Sequence, residues 1–212
     1  YREIGEVANM DLDKRISHCV ISWSFTNLKS SKDIRRSVVG FSSISELIKR
    51  NSKVKFLFLS SSSASSGLLG NSNYGTSKRL GEQILLDNNL IRDSNYPIRV
   101  IRSGLIYGLN NCPISLITML YKFRIKLVLG RSNSLFAVTD AEDLAKFIFD
   151  ISSPLWESES RLNGFYEKEK FSIDFIHETC KEILAKRTFS LSLTNKSIAY
   201  QLIKTLGSKI DL

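Results

Sequence analysis

The segment "VKFLFLS" at residues 54–60 constrains the fold more than any other part of the chain. It is apolar at nearly every position, which is typical of a parallel strand that is covered on both faces. Such a strand needs neighbouring strands and a layer of helices on each side of the sheet. With 212 residues and 42% hydrophobic content, the chain has enough apolar side chains to bury one sizeable core around it.

Strand-like and helical patterns alternate through the first half of the chain. Short apolar runs predict strands at 18–23, 54–60 and 98–103. Apolar residues at helical spacing predict helices at 33–50 and 74–90. Because strands and helices that alternate over short connections are typical of a parallel sheet wound with helices, the predicted fold class is α/β and Rossmann-like.

The second half of the chain predicts shorter elements and a smaller α/β lobe. We expect residues 1–110 to form the core, and residues 111–212 to complete it and to build the lobe. The predicted helices lie at 114–124, at 140–151 with Asp140 as its cap, from a cap at Ser172 through Leu184, and at 196–206. The predicted strands lie at 126–129, after residue 162 and at 189–193.

Composition excludes several classes of function. Thirty Lys and Arg against 21 Asp and Glu give a net charge of +9, but these basic residues are scattered, which favours a solvated surface over a nucleic-acid-binding face. Cys19, Cys112 and Cys180 lie far apart, and with two His they predict neither a disulfide framework nor a metal site. No apolar run reaches the length of a membrane span, and we expect a cytoplasmic protein.

The stretch "SNYGTSKRLGE" at residues 72–82 carries the candidate chemistry. Tyr74 and Lys78 are four residues apart and therefore share one face of a helix. A serine from 60–63, at the end of the buried strand, can lie close to them. A free tyrosine has a pKa near ~10, and a neighbouring ammonium favours the phenolate. Such a tyrosine can exchange a proton with a substrate alcohol or ketone, whereas hydride transfer needs a nicotinamide.

The order of these segments resembles the short-chain dehydrogenase/reductase superfamily, in particular its extended branch of NAD-dependent epimerases and dehydratases. The similar segments are "FLFLSSSSASSG", "YGTSK" with its helix, "IRVIRSGLIYG" and "LFAVTDAEDLAKFI". The resemblance implies an NAD(P)-dependent epimerase or carbonyl reductase/dehydrogenase that acts on a sugar, in particular a nucleotide-linked one. Residues 1–110 would then be part of an NAD(P)-binding core, and residues 111–212 would include a substrate-binding lobe.

The resemblance also assigns catalytic roles. It implies that Tyr74 is the acid/base, and that Lys78 holds the ribose of the nicotinamide and favours the Tyr74 phenolate. Alignment with the family's serine motif selects Ser62 as the catalytic serine, with Ser61 and Ser63 as alternatives.

Further residues are implied to contact NAD or NADP. Trp23 and Ser24 match the end of a strand that passes under the cofactor, and Gly104 lies where the main chain approaches the nicotinamide. Tyr74 and Lys78 complete this set, and no metal is implied. The partner would be a small sugar or nucleotide-sugar, and the family allows a homodimer.

The chain also departs from the family pattern. None of its eleven glycines forms the glycine-rich turn that binds the cofactor pyrophosphate, so we expect two or three further strands upstream. Ser37 and Leu105 replace residues that are often Asn in the family. No acid accompanies Ser62, which disfavours dehydration relative to epimerisation or reduction. The alternative interpretation is a truncated or degenerate relative without catalysis, which serves as a structural or interaction module.

Because the sequence contains no glycine-rich phosphate-binding turn, we expect the 212-residue chain to bind NAD and NADP weakly or not at all. Isothermal titration calorimetry with each dinucleotide measures this directly. Tight binding by the chain itself would contradict the expectation.

Overall fold

The computed structural model describes residues 4–22, 31–65, 73–86, 98–108, 125–129, 135–150, 162–166, 171–184 and 189–193. Among these residues the chain forms two compact units. The first comprises Tyr1–Ser103 with Asp150–Phe165, and the second comprises Gly104–Phe149 with Tyr166–Leu212. The helices predicted at 114–124 and 196–206 lie outside the described residues. The assignment of a substrate-binding lobe to residues 111–212 stays a prediction.

The described elements follow the predicted alternation of strands and helices. In chain order they are β1 (His18–Ile21), α1 (Ser31–Arg50), β2 (Lys55–Ser61), α2 (Asn73–Leu86), β3 (Ile98–Ser103), β4 (Leu105–Tyr107), β5 (Ile125–Leu129), β6 (Val138–Asp140), α3 (Ala141–Phe149), β7 (Leu162–Phe165), α4 (Ile173–Leu184) and β8 (Phe189–Leu193). Two 3₁₀ segments add Ile4–Asn9 and Ser62–Ala64.

The first unit contains a four-stranded sheet in the order β1-β2-β3-β7, and each neighbouring pair is parallel. The predicted α/β class with a parallel, helix-wound sheet is therefore confirmed. The strand β7 joins this sheet beside β3, although a long part of the chain separates the two. No local pattern predicts that partner, because it depends on the path of the whole chain.

The central strand β2 is covered on both faces, as its continuous apolar pattern predicts. Phe56 and Phe58 on one face and Leu57 on the other are almost completely buried. The core on the first of these faces consists of Ile21, Phe41, Ile44, Leu47, Ile48, Val54, Phe56, Phe58, Leu85, Ile98 and Val100. Burial of this apolar surface is the main stabilising contribution to the unit.

Helices α1 and α2 cross closely at Gly81. Phe41 of α1 is fully buried, and its ring meets the Phe58 ring edge to face with a centroid distance of 5.2 Å. A Cβ atom added at Gly81 would lie 2.6 Å from Phe41 Cε1, which is too close for two carbon atoms. The missing side chain at Gly81 thus allows α2 to lie against α1 and the sheet.

The second unit contains two parallel strand pairs, β4 with β6 and β5 with β8. Helix α3 follows β6 directly, and Asp140 Oδ1 accepts hydrogen bonds from the Glu142 and Asp143 amides at 2.9 and 3.0 Å. Ser172 Oγ likewise accepts a hydrogen bond from the Phe175 amide at 3.0 Å. The predicted amino-terminal caps at Asp140 and Ser172 are therefore confirmed.

We expect Gly81→Ala to lower the free energy of unfolding by about 1–3 kcal/mol, because the new methyl group overpacks the site against Phe41. Ala would otherwise favour a helix interior by about 1 kcal/mol relative to Gly. Urea unfolding of the wild type and the variant measures the difference. The control is Phe41→Leu, alone and combined with Gly81→Ala, since the smaller side chain makes room for the methyl group. Additive effects of the two substitutions would contradict the proposed clash.

Candidate functional site

Polar side chains meet at the carboxyl ends of β2 and β3. The parallel register places Ser60 opposite Arg102 and Ser61 opposite Ser103. The Ser103 hydroxyl donates to the Ser60 carbonyl at 3.3 Å, and both serines are buried. In open α/β sheets, ligands bind beyond this edge. The predicted position of the serines at the end of a buried strand is confirmed.

The serine run turns sharply after β2 into a short 3₁₀ segment, Ser62–Ala64. The Ser61 hydroxyl oxygen accepts a hydrogen bond from the Ser63 amide at 3.2 Å and so caps this turn. The Ser62 carbonyl accepts two hydrogen bonds from Ser65, from its amide at 3.1 Å and from its hydroxyl at 2.6 Å. Ser62 is half-buried in this turn, and its catalytic role stays a prediction, as do the alternatives at Ser61 and Ser63.

Arg79 ties the serine turn to α2. Its Nε donates to the Ala64 carbonyl at 2.9 Å, and its Nη2 donates to the Ser65 carbonyl at 3.3 Å. Ala64 is almost completely buried beneath the turn. These contacts fix the segment that carries Ser62 to the helix that carries Tyr74. Sequence reasoning did not select Arg79, whose only sequence signal is its position beside Lys78.

Tyr74 and Lys78 lie on one face of α2, as their spacing predicts. The Lys78 ammonium nitrogen lies 5.9 Å from the centroid of the Tyr74 ring and 4.8 Å from that of Phe58. It also donates a hydrogen bond to the Leu59 carbonyl at 2.7 Å. The structure therefore brings the two predicted residues together beside the end of β2, whereas their catalytic roles stay a prediction.

Lys78 is a buried charge, with only 3% of its surface exposed. Loss of hydration disfavours the ammonium and lowers the pKa of Lys78 to about 8, while the negative charge of Glu82 acts in the opposite direction. Near neutral pH the side chain is thus mostly charged, yet it loses its proton far more readily than an exposed lysine.

The buried carboxylate of Glu82 forms an ion pair with the half-buried Arg102 of β3. Glu82, which is 4% exposed, accepts hydrogen bonds from Arg102 Nε at 2.9 Å and Nη2 at 2.5 Å. The Ser60 hydroxyl donates to the same carboxylate at 2.5 Å. Sequence reasoning missed this network. Its only local signals are the spacing of Glu82 four residues after Lys78 and a charged residue, Arg102, inside an apolar strand.

Gly104 belongs to the second unit, where its own surroundings require a glycine. Its amide donates to Thr139 Oγ1 at 2.8 Å, and an added Cβ atom would lie 2.5 Å from the Ala137 carbonyl oxygen. Close packing therefore explains this glycine without a ligand, and contact with a nicotinamide stays a prediction. Trp23 and Ser24 lie outside the described residues, so their predicted cofactor contacts also stay predictions.

Among the residues that the structure describes, no three His, Cys, Asp or Glu side chains are grouped so that they could hold a metal ion. The described helices also include none with the length and apolar character needed to cross a membrane.

Several solved structures with a similar fold carry the names of enzymes of nucleotide-linked sugars. One is UDP-glucuronic acid 4-epimerase from Bacillus cereus in complex with NAD, with 19% identity and a TM-score of 0.63 over 88% of this chain and 67% of that one. Another is dTDP-glucose 4,6-dehydratase from Bacillus anthracis in complex with NAD, with 16% identity and a TM-score of 0.62 over 85% and 62%. A third is UDP-glucose 4-epimerase from Thermotoga maritima with UDP-glucose, with 15% identity and a TM-score of 0.63 over 85% and 65%.

This chain has their fold. The expected likeness to the extended branch is thereby confirmed for the fold, and the chain spans about two thirds of the length of these structures. No protein-family model and no curated protein sequence matches the chain.

We expect the burial of Lys78 to reduce stability below about pH 8 and this cost to fade at higher pH. The folded-state pKa of about 8 lies below the ordinary 10.5, so the unfolded chain binds more protons between these pH values. Across that window the wild type should gain up to about 3 kcal/mol relative to Lys78→Met. Denaturant unfolding of both proteins at several pH values measures the change. A constant difference would contradict the expectation, and Lys49→Met at a more exposed lysine is the control.

Proposed function

We propose that the protein is an NAD(P)-dependent epimerase or carbonyl reductase/dehydrogenase that acts on a sugar, in particular a nucleotide-linked sugar. The observation that carries this proposal is the placement of Tyr74 and buried Lys78 on one face of α2, beside a serine turn at the carboxyl end of a parallel strand. The fold also supports the proposal, because solved structures with a similar fold are named as epimerases or a dehydratase of nucleotide-linked sugars.

Tyr74 would move a proton between its phenol oxygen and a sugar hydroxyl or ketone. When a sugar alcohol is oxidised, the hydroxyl proton passes to Tyr74 as the hydrogen on the same carbon leaves as hydride. The adjacent Lys78 ammonium stabilises the negative phenolate that accepts the proton. The Ser62 hydroxyl, in the turn held by Arg79, would donate a hydrogen bond to the substrate oxygen.

The family resemblance supports roles in binding the nicotinamide half of a dinucleotide. It implies that Lys78 would hold the ribose hydroxyls, and it separately implies nicotinamide contacts for Trp23, Ser24 and Gly104. The nicotinamide supplies the hydride acceptor or donor that no side chain can replace. The chain holds no glycine-rich turn for the pyrophosphate, so these residues account for one part of cofactor binding only.

The serine turn favours epimerisation or reduction over dehydration. Loss of water from a sugar needs an acid that protonates the departing hydroxyl. Ser62, Ser63 and Ala64 offer hydroxyl and methyl groups but no carboxyl group. We therefore propose that the sugar loses no water, and that the reaction either inverts a carbon that carries a hydroxyl group or interconverts a hydroxyl group and a ketone.

We expect Tyr74→Phe to reduce turnover by about 10²–10⁴-fold, because the phenol oxygen that transfers the proton is lost. The experiment uses the protein expressed from its complete coding sequence, with NAD or NADP and with UDP-glucose or UDP-glucuronic acid. Nicotinamide absorbance reports hydride transfer, and proton NMR of the sugar reports epimerisation.

The control for this experiment is Lys49→Met, since Lys49 lies on α1 and pairs with Glu46 at the surface. It should retain full turnover, whereas Lys78→Met should lose it. Equal turnover by the wild type and Tyr74→Phe would overturn the assignment of Tyr74. A wild-type protein that binds no dinucleotide and converts no sugar would instead favour the alternative, a relative without catalysis.

A further inference from the structure

The carboxylate of Glu82 is buried and accepts three hydrogen bonds from side chains of the sheet. It is nearly completely buried, and both of its oxygens accept hydrogen bonds from Arg102 of β3. Ser60 of β2 donates a third hydrogen bond to it. One side chain of α2 is thus joined to two adjacent strands, which fixes both the rotation of the helix and its height above the sheet.

Glu82 also stands in a defined relation to Lys78 and Tyr74. The three residues are spaced by four along α2 and therefore form one row on the helix face that meets the sheet. The ammonium of Lys78 donates a hydrogen bond to the Leu59 carbonyl and lies over the Phe58 ring, whereas the Glu82 carboxylate accepts from Arg102 and Ser60. The negative charge consequently acts on Lys78 through space, in a region where burial weakens solvent screening.

We propose that Glu82 is a positioning residue of the proposed active site. Ser60 and Arg102 hold its carboxylate, and the carboxylate keeps the buried Lys78 side chain charged and directed towards Tyr74. Arg102 sets the strength of this effect, because it neutralises part of the Glu82 charge. The inference rests on the proposed function only where it predicts an effect of Glu82 on turnover. Its effect on the charge of Lys78 is a property of the folded protein.

The groups around Lys78 determine the sign of the expected changes. Among the described residues of α2, the titratable neighbours of Lys78 are Tyr74 and Glu82, and Arg102 of β3 is the ion-pair partner of Glu82. Strand β2 presents the Leu59 carbonyl and the Phe58 ring. The buried face of α1 carries Ser37, Phe41, Ile44 and Ser45, none of which titrates.

Two single variants should change Lys78 in opposite directions. Glu82→Gln removes the negative charge and leaves Arg102 without its counter-ion, so the pKa of Lys78 should fall below about 8. The ratio of charged to neutral Lys78 at a given pH should fall about tenfold. This is the smallest change expected when a nearby opposite charge is removed. Arg102→Gln leaves the Glu82 charge unneutralised and should raise the pKa of Lys78. The double variant should lie between the two single variants.

The measurement is an NMR titration of protein labelled at the lysine ε-carbons, in which the Lys78 signal is the one that is lost in Lys78→Met. Glu46→Gln, at an exposed acid of α1, is the matched control and should leave the Lys78 titration unchanged. Should Glu82→Gln fail to fold, Arg102→Gln and the double variant still decide the sign. Titrations that do not move, or that move in the same direction in both single variants, would overturn the proposal.

A pH profile of turnover in the same variants connects this effect to catalysis. The alkaline limb should move to lower pH in Glu82→Gln and to higher pH in Arg102→Gln, because turnover needs charged Lys78. A purely structural role of Glu82 would lower turnover equally at every pH, and that result would overturn the proposal. Failure of the proposed function would be seen separately, as absent turnover in the wild type, while the Lys78 titrations retain their predicted shifts.

Discussion

The contact of Phe58 with Phe41 and Lys78 is the interaction on which the rest of the first unit depends. Phe58 lies in the middle of β2 and is fully buried, with the Phe41 ring of α1 edge to face against it and the Lys78 ammonium 4.8 Å above it. One aromatic side chain therefore locates both helices on the sheet. Gly81 completes the arrangement, since only a residue without a side chain lets α2 approach Phe41 so closely.

Polar side chains follow the apolar core at the carboxyl end of β2. Along one face of β2 the side chains change from Phe56 and Phe58 to Ser60, and Ser60 donates a hydrogen bond to Glu82, the ion-pair partner of Arg102. Such an ion pair adds little net stability, because desolvation of the buried carboxylate offsets most of its attraction. Its effect is orientation, since each hydrogen bond is satisfied only at one rotation of α2 relative to β2 and β3.

The features that could be predicted from the sequence are those that depend on local patterns of residues. The apolar run of β2 and the spacing of Tyr74 and Lys78 depend on residues close in the chain, and the structure has both. The pair of Glu82 with Arg102 could not be predicted, because it depends on the register between β2 and β3 and on the rotation of α2. The packing at Gly104 could not be predicted either, because the Ala137 carbonyl that requires a glycine there is distant in sequence.

Glu82 and Lys78 are both buried, and the partners of the Glu82 carboxylate bear on the role proposed for Lys78. A direct bond between Glu82 and Lys78 would turn the ammonium away from Tyr74 and would stabilise its proton strongly. Here Arg102 and Ser60 occupy the carboxylate, and the Leu59 carbonyl takes one of the three ammonium donors. Glu82 then opposes the cost of burial without holding Lys78. Burial lowers the pKa of Lys78 to about 8 and the Glu82 charge opposes that shift, so a small change in the surrounding charge alters the protonation of Lys78 most when the pH is near 8.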